Sequence, residues 1–242
     1  MRIVSWNCNG ALRKKLDILS TLDPDICIIQ ECEDPARCPD VSYRKWAQNH
    51  LWVGGNKNRG LGVFAKPDIS LEPVSLDPGS LELFLPCIVA NRISLLATWT
   101  RQANSPTFRY IGQLWKYLQQ HQHFLTQPES ILIGDLNSNT CWDAWDRWWN
   151  HSDVVRQLQE IGLRSLYHHE RSEEQGKENT PTFFMYRRSD KPYHIDYAFL
   201  SEILLERASL EVGTPSHWIE NSDHMPIIVH IADNAGPKKN RC

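Results

Sequence analysis

The fold is decided by the stretch Ile131-Leu132-Ile133-Gly134-Asp135-Leu136-Asn137. Its leading apolar residues predict a buried strand, and the glycine then introduces two polar side chains at alternate positions. Since successive side chains of an extended chain point to opposite faces, we expect Asp135 and Asn137 to face one spot. Taken alone, Asp-x-Asn at the end of a strand is also typical of an ordinary polar turn.

Four further segments place polar side chains at the ends of predicted strands and repeat the same design. They contribute Asn7 and Asn9, Glu31, His194 and Asp196, and Asp223 and His224. A carboxylate at the end of an apolar run is costly to desolvate unless it is paired, hydrogen-bonded or bound to a metal, so Glu31 needs a partner. In the last segment, the adjacent carboxylate is expected to orient the imidazole and raise its basicity.

These five strand ends predict one rim on which acidic and amide groups converge. That many carboxylates repel one another unless a hard divalent cation lies among them. Because the ligands offered are oxygens and the cysteines form no zinc-type pairs, the pattern favours Mg²⁺, with Mn²⁺ as the alternative, over zinc.

Composition and charge limit the classes of function. The 242 residues carry a net charge of -3, which gives no general attraction to nucleic acid and argues against a tight non-specific DNA binder. The seven cysteines are an odd set, several of them in apolar runs, as in reduced proteins. No run has the length of a signal peptide or a membrane segment, so we expect a cytoplasmic protein.

Hydrophobic spacing predicts where helices and strands lie. Helices are expected at about residues 11–22, 108–124, 142–149 and 154–163. A meander of strands is expected at about 45–53, 60–65, 69–74, 83–90 and 93–99, and further strands at 182–186, 193–200, 208–212 and 227–231. We expect residues 1–232 to form a single domain and residues 233–242 to be a disordered polar tail.

The ten tryptophans allow two interpretations, because exposed aromatic rings stack on unpaired bases whereas buried rings fill a core. On a helix, Trp142, Trp145 and Trp149 would share one face, with Trp148 toward its edge, which favours the core. Trp218 and one member of the helix set are left as candidate base platforms.

In order, the five segments resemble the motifs of the endonuclease/exonuclease/phosphatase superfamily, which includes exonuclease III-type abasic-site endonucleases and pancreatic-type DNases. The matching motifs are Trp6-Asn7-x-Asn9-Gly10, Gln30-Glu31, Gly134-Asp135-x-Asn137, His194-x-Asp196-Tyr197 and Ser222-Asp223-His224. The resemblance spans nearly the whole chain. It implies a catalytic domain with a four-layered α/β sandwich fold, in which two packed mixed β-sheets are flanked by helices and the site lies at one edge of the sheets.

The resemblance also implies a role for each matching position. Glu31 resembles the principal metal ligand, with Asn7 and Asp223 nearby, directly or through water. The ion would neutralise phosphate oxygens and the leaving oxygen.

Four positions would act on the water and the phosphate. Asp135 resembles the residue that orients or deprotonates the attacking water, and Asn137 its partner in holding the phosphate. His224, paired with Asp223, would donate a hydrogen bond to the phosphoryl oxygen. Asp196 resembles a carboxylate that assists the leaving group or a second metal.

Some substrate contacts stay open. Asn9 lies where the family has Asn or Asp, and His194 is either a site residue or a structural hydrogen-bonder. Where many relatives carry a His or Tyr that contacts the phosphate, this chain reads Thr98-Trp99-Thr100-Arg101, which leaves Arg101 as a candidate phosphate clamp. Arg59 is either a second phosphate contact or a solvated loop residue, and an aromatic of the Thr182-Phe183-Phe184 run is expected to line the site.

The function expected from these residues is metal-dependent hydrolysis of nucleic acid, DNA rather than RNA, by in-line attack of an activated water. If the chain binds DNA, we expect modest affinity that falls with salt. The first alternative is a phosphatase or phosphodiesterase of the same superfamily that acts on small molecules or lipid headgroups. The second is a non-catalytic scaffold that retains the fold.

Overall fold

The computed structural model describes residues 1–103 and 105–233. Apart from Asp233, the tail predicted for residues 233–242 lies outside the described residues. In the part of the chain that is described, no helix is both long and apolar enough to cross a membrane. Cys141 is exposed, whereas the other five described cysteines are free, buried thiols, as expected.

One six-stranded sheet brings the two ends of the domain together. Its strands are β1 (Arg2–Asn7), β2 (Ile26–Cys32), β3 (His50–Asn56), β4 (Arg59–Ala65), β13 (Ala208–Val212) and β14 (Ile227–Ile231). They lie in the order β13-β14-β1-β2-β4-β3. The central pair β1 and β2 runs parallel, so the polar residues that follow their apolar runs reach the same edge.

A second six-stranded sheet carries the stretch that decides the fold. Its strands are β5 (Leu71–Pro73), β6 (Phe84–Val89), β7 (Ile93–Trp99), β8 (Ser130–Asp135), β9 (Leu163–Ser165) and β12 (Asp196–Ser201), in the order β5-β6-β7-β8-β12-β9. The register of the antiparallel pair β8 and β12 sets Asp196 directly opposite Asp135. A short hairpin is formed by β10 (Phe183–Phe184) and β11 (Pro192–Tyr193).

Helices flank the sheets, and some of them also contribute side chains to the core between the sheets. They are α1 (Leu16–Ser20), α2 (Val41–Trp46), α3 (Ile111–His121), α4 (His151–Glu160), α5 (Leu166–Arg171), α6 (Glu202–Leu205) and α7 (Pro215–Trp218). One apolar cluster fills the space between the sheets, a second lies under α3 and α4, and a third lies under α1 and α2. These layers confirm the predicted four-layered α/β sandwich.

Three local predictions are wrong, two of them because polar side chains bind the backbone. Residues 11–22 are not one helix but a 3₁₀ turn followed by α1. The strand predicted at about 45–53 begins only at residue 50, because residues 41–46 form α2, which Asp40 caps by accepting the backbone N–H of Tyr43 at 3.0 Å. Residues 142–149 do not form the predicted helix: Trp142 ends a 3₁₀ turn, and beyond it Asn150 bonds the backbone of Ala144 and Arg147.

The tryptophans also differ from expectation. Trp142, Trp145 and Trp148 are exposed, and only Trp149 of that set is buried. Trp218 was a candidate base platform but lies buried against Trp6, with ring centroids 5.1 Å apart.

Candidate active site

Asp135 is the centre of a polar cluster between the edges of the two sheets. Its carboxylate is fully buried and accepts a hydrogen bond from the Asn7 amide at 3.0 Å, which spans from β1 to β8. Asn137 donates to the same carboxylate twice, from its backbone N–H at 2.8 Å and from its side-chain amide at 2.9 Å. Such hydrogen bonds hold the carboxylate in one orientation.

Asp135 and Asn137 do meet, but not by strand alternation. Asn137 lies beyond the end of β8 with a φ of 44°, so a left-handed turn brings its side chain back. Its amide also donates to the carbonyl of Thr100 at 3.0 Å, which ties the turn to the end of β7.

Gly134 allows β7 and β8 to approach closely beneath the cluster. A Cβ at this position would lie 1.9 Å from the carbonyl oxygen of Thr98, and its φ is 150°. Only glycine fits there without moving a strand. The glycine that precedes Asp135 is therefore part of how the site is built.

Glu31 reaches the cluster through a β-bulge. The pairing of β2 with β4 shifts between Gln30 and Cys32, and Glu31 itself has a φ of 63°. A bulge re-aims a side chain, and here the Asn7 amide lies 3.3 Å from the Glu31 carboxylate. Arg59 also contacts this carboxylate, with its Nε at 2.9 Å, so Arg59 is not a free loop residue.

His224 pairs with a different carboxylate from the one expected. Its Nδ1 lies 3.0 and 3.2 Å from the two oxygens of Asp196, and its Nε2 lies 3.9 Å from Asp135. The predicted partner, Asp223, instead accepts a hydrogen bond from Asn9 at 3.1 Å. Residue 224 forms an isolated antiparallel bridge with Phe183, and its ring contacts Asp196 at the start of β12.

The buried charges in this cluster perturb one another. Burial raises the pKa of Asp135 well above its usual range, His224 opposes that rise, and Asp196 adds to it. Burial would lower the pKa of His224, but Asp196 and Asp135 outweigh it and raise the pKa. The two carboxylates therefore favour the protonated form of the imidazole that lies beside them.

Two predicted substrate contacts lie apart from the cluster. His194 is buried, with its Nδ1 2.7 Å from the carbonyl oxygen of Thr180 and its ring centroid 4.4 Å from that of Tyr167. This geometry matches the alternative in which His194 is a structural hydrogen-bonder. Arg101 is exposed, and its guanidinium lies 5.2 Å from the ring centroid of Trp99. For Arg101, no hydrogen bond or ion pair to the cluster appears among the described residues.

Two hydroxyl groups that sequence reasoning missed hold the site in place. Thr182 accepts the backbone N–H of Asp196 at 3.1 Å. Ser222 donates to the carbonyl of Asn7 at 2.7 Å and accepts the N–H of His224 at 3.0 Å. Both lie within stretches singled out from the sequence, Ser222-Asp223-His224 and Thr182-Phe183-Phe184, but no role was assigned to either hydroxyl. Phe183, by contrast, lines the site as expected, with its ring 4.6 Å from that of His224.

Two groups of residues offer metal ligands. Among the described His, Cys, Asp and Glu residues, Asp135, Asp196 and His224 have ligand atoms within 4.8 Å of one another. In that trio, however, Nδ1 of His224 already contacts both oxygens of Asp196, so two of the three side chains are occupied by each other. The predicted set fits better, because Glu31 and Asn7 are in contact and both offer the oxygen ligands that Mg²⁺ prefers. Arg59 contacts the same Glu31 carboxylate, so it would compete with a bound cation. Asp223 joins that set through Asn9, whose N–H donates to Asn7 at 3.0 Å.

Comparison with known proteins supports the observed architecture. A 3'-5' exonuclease from Neisseria meningitidis has a TM-score of 0.71 at 19% identity, covering 96% of this chain and 100% of that one. An AP endonuclease from Archaeoglobus fulgidus has a TM-score of 0.68 at 20% identity, again covering 96% and 100%. A Neisseria 3' phosphatase bound to a product DNA hairpin has a TM-score of 0.68 at 18% identity, with the same coverage.

At these identities the likeness shows a shared fold. No curated protein matches the chain. A family model, however, matches most of its length and includes all five strand-end segments. That model is described as the Endonuclease/Exonuclease/phosphatase family and matches residues 4–224, so the chain belongs to this family of enzymes that break phosphoester bonds.

Proposed function

We propose that this chain is a divalent-metal-dependent phosphodiesterase that hydrolyses nucleic acid, DNA rather than RNA, by in-line attack of water on phosphorus. The observation that carries the proposal is the buried Asp135, held by the amides of Asn7 and Asn137 beside the His224–Asp196 pair. A carboxylate oriented in this way and raised in pKa is suited to take a proton from water. The 3'-5' exonuclease and AP endonuclease with the same fold are consistent with it.

His224 supplies the complementary charge. With Nδ1 held by Asp196, its Nε2 faces the cluster and can donate to a phosphoryl oxygen as negative charge develops. Asp196 acts through His224 in this proposal, because its carboxylate is occupied by the imidazole. Asn137 is placed to orient the phosphate or the attacking water beside Asp135.

Glu31 and Asn7 are the residues that would hold the ion, with Asp223 as a third ligand, directly or through water. Carboxylate and amide oxygens match the preference of Mg²⁺, and Mn²⁺ accepts the same ligands. When bound, such an ion neutralises non-bridging oxygens of the phosphate and charge on the leaving oxygen.

An activity assay on a panel of substrates tests which phosphate ester the chain hydrolyses. A panel of abasic duplex, single-stranded DNA, single-stranded RNA and inositol phosphates is incubated with Mg²⁺, Mn²⁺ or chelator. We expect DNA cleavage that requires the metal and falls at least about a thousandfold in both Glu31→Gln and Asp135→Asn.

Matched controls exist on the surface. Glu72→Gln and Asp68→Asn make the same chemical changes at exposed positions and should retain wild-type rates. If only the inositol phosphates are hydrolysed, the substrate is a small phosphate ester and not nucleic acid. Absence of turnover across the whole panel would refute the phosphodiesterase proposal and favour a scaffold.

A further inference from the structure

We propose that the segment Thr140–Trp149, here called the tryptophan loop, is a stacking platform for unpaired nucleobases, so that the preferred substrate is single-stranded nucleic acid. This inference rests on the proposed nucleic-acid phosphodiesterase activity and narrows its substrate. It is carried by the exposure of three rings, their connection to the candidate active site, the ordering of the loop and its charge.

Three large rings of the loop face solvent. The exposed fraction is 97% for Trp145, 64% for Trp148 and 42% for Trp142. Tryptophan normally buries most of its surface, so three exposed rings within seven residues form an unusual apolar patch for a soluble domain. Each ring offers a flat face to which a planar ligand can bind.

The loop is connected to the candidate active site by an unbroken series of ring contacts. The ring centroid of Trp142 lies 5.0 Å from that of Tyr193, which lies 6.4 Å from that of Phe183. Phe183 in turn lies 4.6 Å from His224. A nucleotide chain with its phosphate at His224 would therefore have aromatic surface beside it, leading outward to Trp142 and the rest of the loop.

The loop is ordered even though its rings are exposed. Asn150 is buried and binds the backbone of Ala144 and Arg147, with all three hydrogen bonds at 2.9 Å. Asp143 accepts the backbone N–H of His151 at 2.8 Å at the start of α4. Because these bonds fix the backbone in advance, a ligand that stacks on the rings has less conformational entropy to remove.

The charge of the loop favours bases over phosphates as the bound group. Its charged residues are Asp143, Asp146 and Arg147, so it offers no cluster of cations to a phosphate backbone. In a duplex, the base faces already stack on one another, whereas unpaired bases leave theirs free. Each stacked base contributes about fivefold or more to affinity, and this contribution is nearly independent of salt because no counterions are released.

The test measures binding separately from hydrolysis. Wild type, Trp145→Ala and the double variant Trp142→Ala/Trp148→Ala are titrated with a fluorescent 12-nucleotide DNA strand in chelator. The same length of tetrahydrofuran abasic strand and a blunt duplex are the comparison ligands. Ile203→Ala, which removes an apolar side chain that is 50% exposed on α6, is the matched control. Thermal melting checks that each variant is folded.

We expect the dissociation constant for the base-bearing strand to rise about fivefold in Trp145→Ala and at least about tenfold in the double variant. The abasic strand should bind wild type and the double variant with the same weak affinity, because it has no bases to stack on the rings. Equal affinity of wild type and the folded variants for the base-bearing strand would overturn the proposal. The proposal would also be overturned if wild type bound the duplex more tightly than the base-bearing strand, or bound the abasic strand as tightly as the base-bearing strand.

Failure of the underlying activity is recognised separately. Wild-type hydrolysis of bis(p-nitrophenyl) phosphate with Mg²⁺ or Mn²⁺ reports phosphodiesterase chemistry without any nucleobase. Turnover of this diester together with base-independent binding would refute the platform and leave the activity standing. No turnover of the diester or of any nucleic acid would refute the activity, and with it the substrate assigned here.

Discussion

The pair formed by His224 and Asp196 gives the sharpest test of how the site works. Asp196→Asn keeps the shape of the side chain and removes its charge. The Asp196 backbone N–H bond to Thr182 does not involve the altered atoms, so the strand should be undisturbed. What changes is the environment of His224, whose Nδ1 now lies 3.0 Å from a carboxylate oxygen.

The expected loss follows from the kind of bond removed. Both side chains are nearly inaccessible, with exposed fractions of 6% for His224 and 1% for Asp196, so solvent screens the pair little. A hydrogen bond between charged groups is worth about 1.5–3 kcal/mol, which corresponds to a decrease in kcat of about 10- to 150-fold. The fall should appear in kcat rather than KM, because His224 acts on charge that develops in the transition state.

The assay is steady-state hydrolysis of a single-stranded DNA at saturating metal, with Asp68→Asn as the exposed control. Asp223→Asn is the informative comparison, since Asp223 faces Asn9 instead of the imidazole. We expect that variant to need more metal for half-maximal rate while its kcat at saturation stays closer to wild type. A folded Asp196→Asn enzyme with kcat within threefold of wild type would refute the role assigned to the pair.

Three further predictions concern stability and the metal. Gly134→Ala places a Cβ 1.9 Å from the carbonyl oxygen of Thr98. Urea denaturation should therefore show a loss of at least about 3 kcal/mol in the free energy of unfolding. A loss below about 1 kcal/mol would contradict the close approach of the two strands. Arg59→Gln removes a cation from Glu31, so the metal concentration for half-maximal activity should fall about fivefold; a rise would show that Arg59 supports the ion. Burial disfavours ionisation of Glu178, but hydrogen bonds from an imidazole, an amide and a backbone N–H outweigh it and lower its pKa to about 2. A carboxylate whose pKa is lowered in the folded state stabilises the fold at pH values above its unfolded pKa of about 4.5. Up to about 3 kcal/mol of unfolding free energy should therefore be lost as the pH falls toward 2. In Glu178→Gln, the unfolding free energy should depend less on pH over this range.

The sequence was sufficient for features set by local periodicity and by motif. The strand ends do converge, and Asp135 does meet Asn137 and Asn7. The pairing of His224 with Asp196 could not be predicted, because it depends on the register of β12 and on a bridge to Phe183, both long-range. Asp223 and His224 are adjacent in the sequence but face different partners, Asn9 and Asp196.

The position of Glu31 and the exposure of the tryptophans depend on interactions that the spacing of hydrophobic residues does not indicate. The bulge that aims Glu31 requires a positive φ at a residue that is not glycine, for which the sequence carries no signal. The spacing of the tryptophans matches a helical face, but a face is buried only if another element covers it. Here Asn150 and Asp143 bind the local backbone instead, and the rings remain exposed.

Under the proposed function, the charges at the site would divide substrate recognition between two surfaces. At the candidate site, four carboxylates outnumber the basic side chains of His224 and Arg59 by two; they belong to Asp135, Asp196, Glu31 and Asp223. A phosphodiester is itself an anion, so this cluster repels it until a divalent cation reverses the local sign. Stacking on the tryptophan loop needs no such reversal, because base faces are uncharged. A chelator should therefore abolish turnover while it leaves most of the affinity for a single strand, whereas loss of the exposed rings should weaken affinity even at saturating metal.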